Sequence, residues 1–461
     1  MNKMSLFDMA FFLAESEDSP KHVAGLMIFK RPEHAKASFV KDLYRDFLTF
    51  TDVHAPFNRM VEMSKITKPH WCDSPQVDLE QHVFYRKLPS GENERAHLYR
   101  LISEMHSVML DRSRPLWEMH VIDGISEGRF AVYMKLHHAY ADGITVSRWA
   151  ADSVSRSPDT TELSPMWGRK HGGYVGRRRP KHPVVQSFKD SVVSTSKRVL
   201  GIGRLATMLF LETVHLTKNA IALPYVANAH TPLTGQVTAG RQFATAGIEM
   251  KRVHSICKQT RSTLNHVALT CLDGAMHRWL DDQGVQLDRP LTIVMPVNLR
   301  REGDKSAGNK IGFVEVELSA VTDDPYVRLR NVGFSLRNVR TLIDNVAPEA
   351  IETYTVLTGL AGLVAEKMKW SDRLPPLGNT LVSNVPGPKE YLYLRGARME
   401  EMHPVSTLPP GNLINITLFS YADHLYFGLI ATDKLPNLDR LSTYIEEAFV
   451  ELEASLHVEH E

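Results

Sequence analysis

The chain has 461 residues, which is long for a single hydrophobic core, so two domains are expected. Its 54 basic residues nearly balance its 53 acidic residues, which argues against nucleic acid as the main partner. Three cysteines, Cys72, Cys257 and Cys271, are too few and too widely spaced for a disulfide framework or a cysteine-based metal site, and they indicate a reducing compartment.

The N-terminal residues 1–18 resemble a secretory signal only briefly. Asp8 interrupts their apolar stretch, and Glu15, Glu17 and Asp18 stand where a signal would need small neutral residues. No stretch of the chain reaches the roughly 18 uninterrupted apolar residues of a membrane span. The sequence therefore predicts a cytoplasmic protein, or one bound only to a membrane surface.

The segment RFAVYMKLHHAYADG predicts a strand, a tight turn and the start of a helix. Alternation along the strand places His138 on the apolar face that begins at Phe130, and His137 on the opposite, mixed face. Helical spacing of apolar residues follows Asp142 and Gly143. A base at such a strand end is held rigidly and can face a cavity.

The histidine pair has two interpretations that stay open at this point. His138 could be a catalytic base that faces a cavity, or both histidines could be structural residues at the end of a strand. A metal site is not expected, because adjacent strand residues point to opposite faces and no other cluster has the spacing of metal ligands.

Two glycine-containing motifs do not predict functional sites. GISEG at 124–128 fits the serine-hydrolase pattern, but a strand follows it where a helix is required, so a hairpin turn is predicted. GIGRLA at 201–206 resembles part of a dinucleotide fingerprint, yet it lies within a helical pattern with no preceding strand.

The chain divides near its middle. We predict an N-terminal domain over 1–156, a linker with amphipathic helices over 157–240, and a C-terminal domain over 241–461. Within the linker, helices are expected over 184–228. The strands expected in the C-terminal domain are LTIVMPVNL, KIGFVEVEL, GNTLVSNV, NLINITLFSY and HLYFGLIAT.

The linker carries a basic cluster, which is either a solvated surface or a contact for anionic lipid head groups. Each basic residue near such a lipid surface contributes about 1 kcal/mol, and an amphipathic helix would help by lying in the interface. The cluster consists of Arg169, Lys170, Arg177, Arg178, Arg179 and Lys181.

HHAYADG matches the HHxxxDG signature of the acyltransferase superfamily that includes chloramphenicol acetyltransferase, carnitine acyltransferases and peptide-synthetase condensation domains. Other segments, in order over nearly the whole chain, make it similar to the bacterial wax ester synthase/diacylglycerol acyltransferase family. They are MSLFDMAFFLAES, KHVAGLMIF, PLWEMHVIDG, TPLTG, STLNHVALTCLDGAMHRWL, PVNLR, SNVPGP and NITLFSYADHLYFGLIATD. One departure is Asn265-His266, where the family commonly has Asn-Asp, which puts an acidic role at the second position in doubt.

The resemblance implies a mixed α/β fold with two chloramphenicol acetyltransferase-like domains, joined by a helical linker, and an active site in a tunnel between them. Acyl-CoA would enter from one side as co-substrate and the alcohol from the other, with no metal and no further cofactor. His138 would be the general base. Asn265, Asn384 and backbone N–H groups near Gly143 are candidates for stabilising the oxyanion or positioning substrate, although either asparagine could instead serve a turn.

The remaining motif residues have supporting roles in this interpretation. Asp142 either orients the imidazole or, as is usual in the superfamily, points away and pairs with an arginine, for which Arg59 and Arg300 are candidates. The second role is favoured. His137 is expected to support the loop by hydrogen bonding, and Gly143 to permit a backbone angle or close packing that a Cβ would forbid.

The predicted function is the transfer of a long-chain fatty acyl group from acyl-CoA to a fatty alcohol, giving a wax ester, or to diacylglycerol, giving triacylglycerol. The protein is expected to associate peripherally with the inner membrane face or with lipid droplets. The alternatives are a condensation-type enzyme that takes its acyl group from a carrier protein, and a non-catalytic protein of lipid surfaces.

Overall fold

The computed structural model describes residues 2–4, 6–63, 69–89, 91, 93–171, 225, 227, 231–298, 311–346 and 348–458. Three predictions lie outside the described residues: the helices over 184–228, apart from residues 225 and 227, the GIGRLA fragment, and Arg300. Of the basic cluster, only Arg169 and Lys170 lie within them.

The first half of the chain forms a small three-stranded sheet and contributes four strands to a six-stranded sheet, with helices packed around them. Its strands are β1 (Asn2–Lys3), β2 (His22–Lys30), β3 (Arg59–Glu62), β4 (His70–Asp73), β5 (Val83–Lys87), β6 (Trp117–Ile125) and β7 (Arg129–His137). Its helices are α1 (Leu6–Ala14), α2 (Phe39–Phe47), α3 (Glu94–Ser107) and α4 (Gly143–Asp152), with short 3-10 helices at Leu79–Gln81 and Met166–Gly168.

The second half of the chain forms a second six-stranded sheet and contributes two strands to the first one. Its strands are β8 (Arg241–Glu249), β9 (Thr292–Asn298), β10 (Ile311–Glu317), β11 (Thr380–Pro386), β12 (Tyr393–Leu394), β13 (Ala397–Val405), β14 (Ile414–Tyr421) and β15 (His424–Thr432). Its helices are α5 (Met250–Thr260), α6 (Leu264–Asp282), α7 (Pro325–Asn345), α8 (Pro348–Lys367) and α9 (Leu438–Val458). All five strands predicted for this half are present.

The two large sheets confirm the mixed α/β class. The first has the order β12-β13-β2-β7-β6-β5 and the second β10-β9-β11-β14-β15-β8. In the second sheet β11 runs parallel to both β9 and β14, whereas the other strand pairs of this sheet are antiparallel. The sequence-based domain boundaries at 156 and 240 stay a prediction.

A crossover ties the two halves together. The strands β12 and β13 come from the C-terminal half, yet they belong to the first sheet, where β12 is the edge strand and β13 pairs antiparallel with β2. The chain then returns to the second sheet at β14. This crossover therefore links the two large sheets.

The strand β7 is buried on both faces, which differs from the mixed second face that the sequence predicts. Phe130 and its alternate neighbours pack in one core, while Ala131 and Tyr133 pack in another, beneath α3. Lys135 is also buried, because its Nζ donates to the carbonyls of Met105 and Val108. The predicted GISEG hairpin is confirmed, since β6 and β7 are antiparallel neighbours joined there.

Across the part of the chain that the structure describes, no helix is both long and apolar enough to cross a bilayer.

Candidate active site

A cavity of about 540 Å³ lies between the two halves and has the size typical of a small-molecule site. Residues of α1, β2 and α4 form one wall, and residues of β11, α8 and β14 form the other. Most of the lining is apolar, and it includes Met9, Phe11, Met27, Val146, Phe313, Leu360, Leu363, Leu381 and Phe419. Such a cavity suits a long hydrocarbon chain.

His138 lines this cavity immediately after β7 ends. Its backbone N–H donates to the carbonyl of Lys21 at 2.9 Å, which ties it to the neighbouring strand β2. Its imidazole stacks on the ring of Phe11, with centroids 4.3 Å apart. Desolvation by burial lowers the pKa of His138 to about 4, although the negative charge of Asp142 acts in the opposite direction and raises this pKa. At neutral pH the ring is therefore uncharged and can accept a proton.

His137 points away from the cavity and is fully buried. The backbone N–H of Ala139 donates to its Nδ1 at 3.1 Å, so the ring proton sits on Nε2, which faces Glu15 Oε1 at 3.4 Å. Its ring stacks on Phe12, with centroids 4.3 Å apart. The two histidines therefore stack on two consecutive phenylalanines of α1.

Glu15 anchors the end of α1 through several hydrogen bonds. Its buried carboxylate accepts from the backbone N–H of Lys21 at 3.0 Å and from Arg112 Nη2 at 2.7 Å, and it faces His137. Burial by itself would raise the pKa of Glu15, but His137, Lys21 and Arg112 outweigh it and lower the pKa to about 2. The carboxylate is thus ionised and fixes α1 against both β2 and β7.

Asp142 caps the helix that follows the motif. Its carboxylate accepts from the backbone N–H of Thr145 at 2.9 Å, which makes it the N-cap of α4, and it also lines the cavity. Of its two candidate arginine partners, Arg59 forms an ion pair with Asp73 at 3.3 Å, and Arg300 lies outside the described residues. The arginine partner of Asp142 stays a prediction.

Gly143 is the first residue of α4 and packs tightly against the second half. A Cβ at this position would lie 3.1 Å from Val385 Cγ2 of β11. The sequence predicts either a special backbone angle or close packing as the reason for this glycine. Its φ is not in the left-handed region, so close packing is the reason that the structure shows. The first amides of a helix have no intrahelical acceptor, and Gly143 and Ile144 both line the cavity.

The fold brings Asn265 and Asn384 into contact, although the sequence around either residue does not predict this. Asn384 Nδ2 donates to Asn265 Oδ1 at 2.5 Å, joining β11 to the start of α6. Asn384 lines the cavity, whereas Asn265 is not part of the lining. His266 forms the capping box of α6 with Thr263, so this second position of the motif supports a helix end.

Several cavity residues were not predicted from the sequence. Lys21 is buried at the wall, where its Nζ donates to Ser19 Oγ at 2.6 Å and to the Leu408 carbonyl at 2.8 Å. Ser383 and Thr417 bridge β11 and β14 through their hydroxyls, 2.9 Å apart. The consecutive Phe11 and Phe12 were visible in the sequence, but nothing local indicated that they meet the two histidines.

The described residues contain no group of three or more His, Cys, Asp or Glu side chains that could hold a metal ion.

Comparison with known proteins relates both halves to one family. The model of the wax ester synthase/diacylglycerol acyltransferase catalytic domain matches residues 4–268, and that of the WS/DGAT C-terminal domain matches residues 307–453.

Relatives align over almost their whole length. The chain is 30% identical to the O-acyltransferase WSD of Acinetobacter baylyi, covering 97% of this chain and 96% of that protein. It is 30% identical to a probable diacylglycerol O-acyltransferase of Mycobacterium tuberculosis, covering 99% and 100%.

Solved structures share the fold. A wax ester synthase/diacylglycerol acyltransferase from Marinobacter aquaeolei superposes with a TM-score of 0.76 at 29% identity, covering 99% of this chain and 100% of that one. The first condensation domain of the CDA synthetase superposes with a TM-score of 0.63 at 12% identity, covering 99% and 96%, which shows the fold alone.

Proposed function

Because the chain belongs to the wax ester synthase/diacylglycerol acyltransferase family, and is therefore an O-acyltransferase, we propose that it transfers long-chain fatty acyl groups from acyl-CoA to a fatty alcohol, to diacylglycerol, or to both. The observation that carries this proposal is an uncharged imidazole, that of His138, at the wall of an apolar cavity. The cavity accommodates an acyl chain, and the imidazole supplies the base that a hydroxyl nucleophile requires.

In the proposed mechanism His138 acts as the general base. A ring nitrogen removes the proton of the acceptor hydroxyl while the oxygen attacks the thioester carbonyl. The tetrahedral intermediate then expels the CoA thiolate, which takes the proton back from the imidazolium, so the products are the ester and free CoA. A positioned base of this kind contributes about 10²–10⁴-fold to the rate.

The oxyanion of the intermediate needs donors at the same wall. The Asn384 amide retains a second hydrogen beyond the one given to Asn265, and the amides of Gly143 and Ile144 begin α4 beside the base. One such donor contributes about 10²–10³-fold. In this proposal Asn265 positions Asn384, His137 and Asp142 support the loop, and the helix start provides the second donor.

We also infer that the protein works at a membrane or lipid-droplet surface. Support comes from an exposed apolar stripe on α8 and just after it, where Leu357 is 59% exposed and Val364 and Met368 are each 54% exposed. Leu360, in the same stripe, also lines the cavity. Nearby basic residues complement anionic head groups, and they are Lys367, Lys369 and Arg373.

The surface association has its own test. Flotation with anionic phospholipid vesicles is measured for the wild type and for a Leu357→Ser, Val364→Ser variant, neither of whose residues lines the cavity. Reduced flotation of the variant is expected, and equal flotation of the two proteins would contradict this assignment.

The catalytic proposal is tested by free-thiol release and ester formation from palmitoyl-CoA, with hexadecanol or dipalmitoylglycerol as acceptor. His138→Ala is expected to reduce turnover about 100-fold or more. His34→Ala, at an exposed position, is the matched control and should retain full activity. Near wild-type turnover by folded His138→Ala contradicts the base assignment.

The donor and the activity class are decided in the same assay. Turnover with acyl-carrier protein but not with acyl-CoA would replace the proposed donor. Lipid binding without any thioester turnover would identify a non-catalytic protein of lipid surfaces.

A further inference from the structure

A second cleft, of about 630 Å³, adjoins the active-site cavity. It lies between the outer side of α4 and the segment 386–392, which follows β11. Ile144 and Ser147 line both the cleft and the cavity, so the two spaces share a wall formed by the first turns of α4. A molecule could therefore occupy the cleft with one end and the cavity with the other.

The cleft is basic. It is lined by four cations, Arg148, Arg156, Arg169 and Lys389, and by the two carboxylates Asp152 and Glu390.

Within the described part of the chain, the side chains of these four cations form no ion pair and no hydrogen bond. Elsewhere many arginines are paired with carboxylates, for example Arg112 with Glu15 and Arg328 with Asp273. Unpaired cations gathered in a concave site favour an anionic ligand with several charges.

One side of the cleft is held rigidly. Pro386, Gly387 and Pro388 form it, and a Cβ on Gly387 would lie 2.3 Å from the Ser420 carbonyl oxygen, so this turn packs directly on β14. The Ser147 hydroxyl contacts the Pro386 carbonyl at 3.5 Å and joins α4 to the same turn. The cations thus stand on a preformed surface beside the catalytic cavity.

The cleft follows α4 for nearly the full length of this helix, from Ile144 at the wall shared with the cavity to Asp152, and a ten-residue helix is about 15 Å long. Arg148 lies about halfway along α4. The extended pantetheine arm of CoA has a length of this order, so its phosphates can lie among the cations of the cleft while its thiol reaches the cavity.

We propose that this cleft binds the diphosphate and the 3′-phosphate of CoA, while the pantetheine arm runs along the first turns of α4 and delivers the thioester to His138. The assignment rests on the proposed function, since it takes acyl-CoA as the donor. Arg148 and Lys389, on opposite sides of the cleft, would contact the phosphates. Alcohol acceptors, which lack phosphates, would reach the cavity from elsewhere.

The kinetic test compares two donors that share the same thioester. Palmitoyl-CoA carries the nucleotide, and palmitoyl-N-acetylcysteamine does not. An Arg148→Glu, Lys389→Glu variant is expected to raise KM for palmitoyl-CoA about tenfold or more, because it loses charged hydrogen bonds to the phosphates. The same variant should leave kcat/KM for the short thioester unchanged, because that donor has no phosphates. Arg330→Glu, exposed on α7 and remote from both lining sets, is the matched control.

A binding measurement separates failure of this site from failure of the proposed function. Calorimetric titration with CoA and with dephospho-CoA needs no turnover, and CoA is expected to bind the double variant about tenfold more weakly than the wild type. Equal CoA affinity in both proteins overturns the site, even in an active enzyme. Weakened binding to anionic vesicles with unchanged CoA affinity would assign the cleft to lipid head groups and likewise overturn it.

Discussion

The ring of Phe11 stacks on the imidazole of His138 with the two planes 17° apart, so the N-terminal helix α1 covers the proposed base. Phe12, the next residue, stacks on His137 with the planes 8° apart. The histidine pair of the HHxxxDG motif is thus held between its own strand and an aromatic pair from the start of the chain. Desolvation of His138 depends in part on this helix.

The effect of this stack can be measured with Phe11→Leu, which keeps an apolar side chain and removes the ring. Aromatic stacking contributes about 0.5–1.5 kcal/mol, so kcat should fall by roughly 2–10-fold. Looser packing should also let water reach the imidazole and raise the pKa of His138. Phe334→Leu, at an exposed position on α7, is the control that should change neither quantity. Unchanged kcat and an unchanged pH profile in Phe11→Leu would show that the ring has no role in positioning the base.

The pH dependence of the wild type follows from the lowered pKa of His138. The reactive form is the neutral imidazole, so activity is present above this pKa and is lost as the pH falls through about 4. We expect kcat/KM for palmitoyl-CoA to stay flat between about pH 5.5 and 8, with tryptophan fluorescence recorded in parallel to verify folding. An acid limb centred near the ordinary value of 6.5 would mean that the base is exposed to solvent in the free enzyme.

Glu15→Gln should destabilise the protein in a pH-dependent manner. The pKa of Glu15 is about 2 in the folded state against an ordinary 4.5, so the ionised carboxylate stabilises the fold above pH 4.5 and this contribution is lost as the pH falls towards 2. Urea unfolding at pH 7 is expected to show a loss of about 3 kcal/mol. The difference between variant and wild type should shrink below pH 4.5.

The control for this variant is Glu17→Gln, an exposed position two residues further on, whose stability should stay within about 0.5 kcal/mol of the wild type. A Glu15→Gln protein as stable as this control at pH 7 would show that the buried carboxylate network contributes nothing to the fold.

Gly143→Ala tests the contact between α4 and β11. An added Cβ would meet Val385 Cγ2 at 3.1 Å, and overpacking of this kind costs about 1–3 kcal/mol. In a Val385→Ala background the space is open, and the same change should become neutral or slightly stabilising because alanine favours helix. Urea unfolding and kcat of the four proteins form a double-mutant cycle. An equal cost in both backgrounds would mean that Val385 is not the reason for a glycine at this position.

Most of the secondary structure near the site could be predicted from local pattern. Alternation identified β7, its hairpin with β6, and the five strands of the C-terminal half, because a side-chain period of two survives in any tertiary setting. The same pattern misjudged the second face of β7, since Lys135 counts as polar in the sequence but is buried against backbone carbonyls. The motifs likewise led to the family, which the comparisons confirm.

Periodicity and short motifs are properties of neighbouring residues, and they were sufficient to predict the mixed α/β class, the family and the segment that carries the proposed base. The surroundings of that base depend instead on how distant segments pack: Phe11 against His138, Glu15 against His137, Val385 against Gly143, and Asn384 against Asn265. These partners lie far apart in the chain, and the crossover that inserts β13 into the first sheet helps to bring the two halves together. Contacts of this kind leave no local signature, because they arise when separate apolar surfaces are buried against one another.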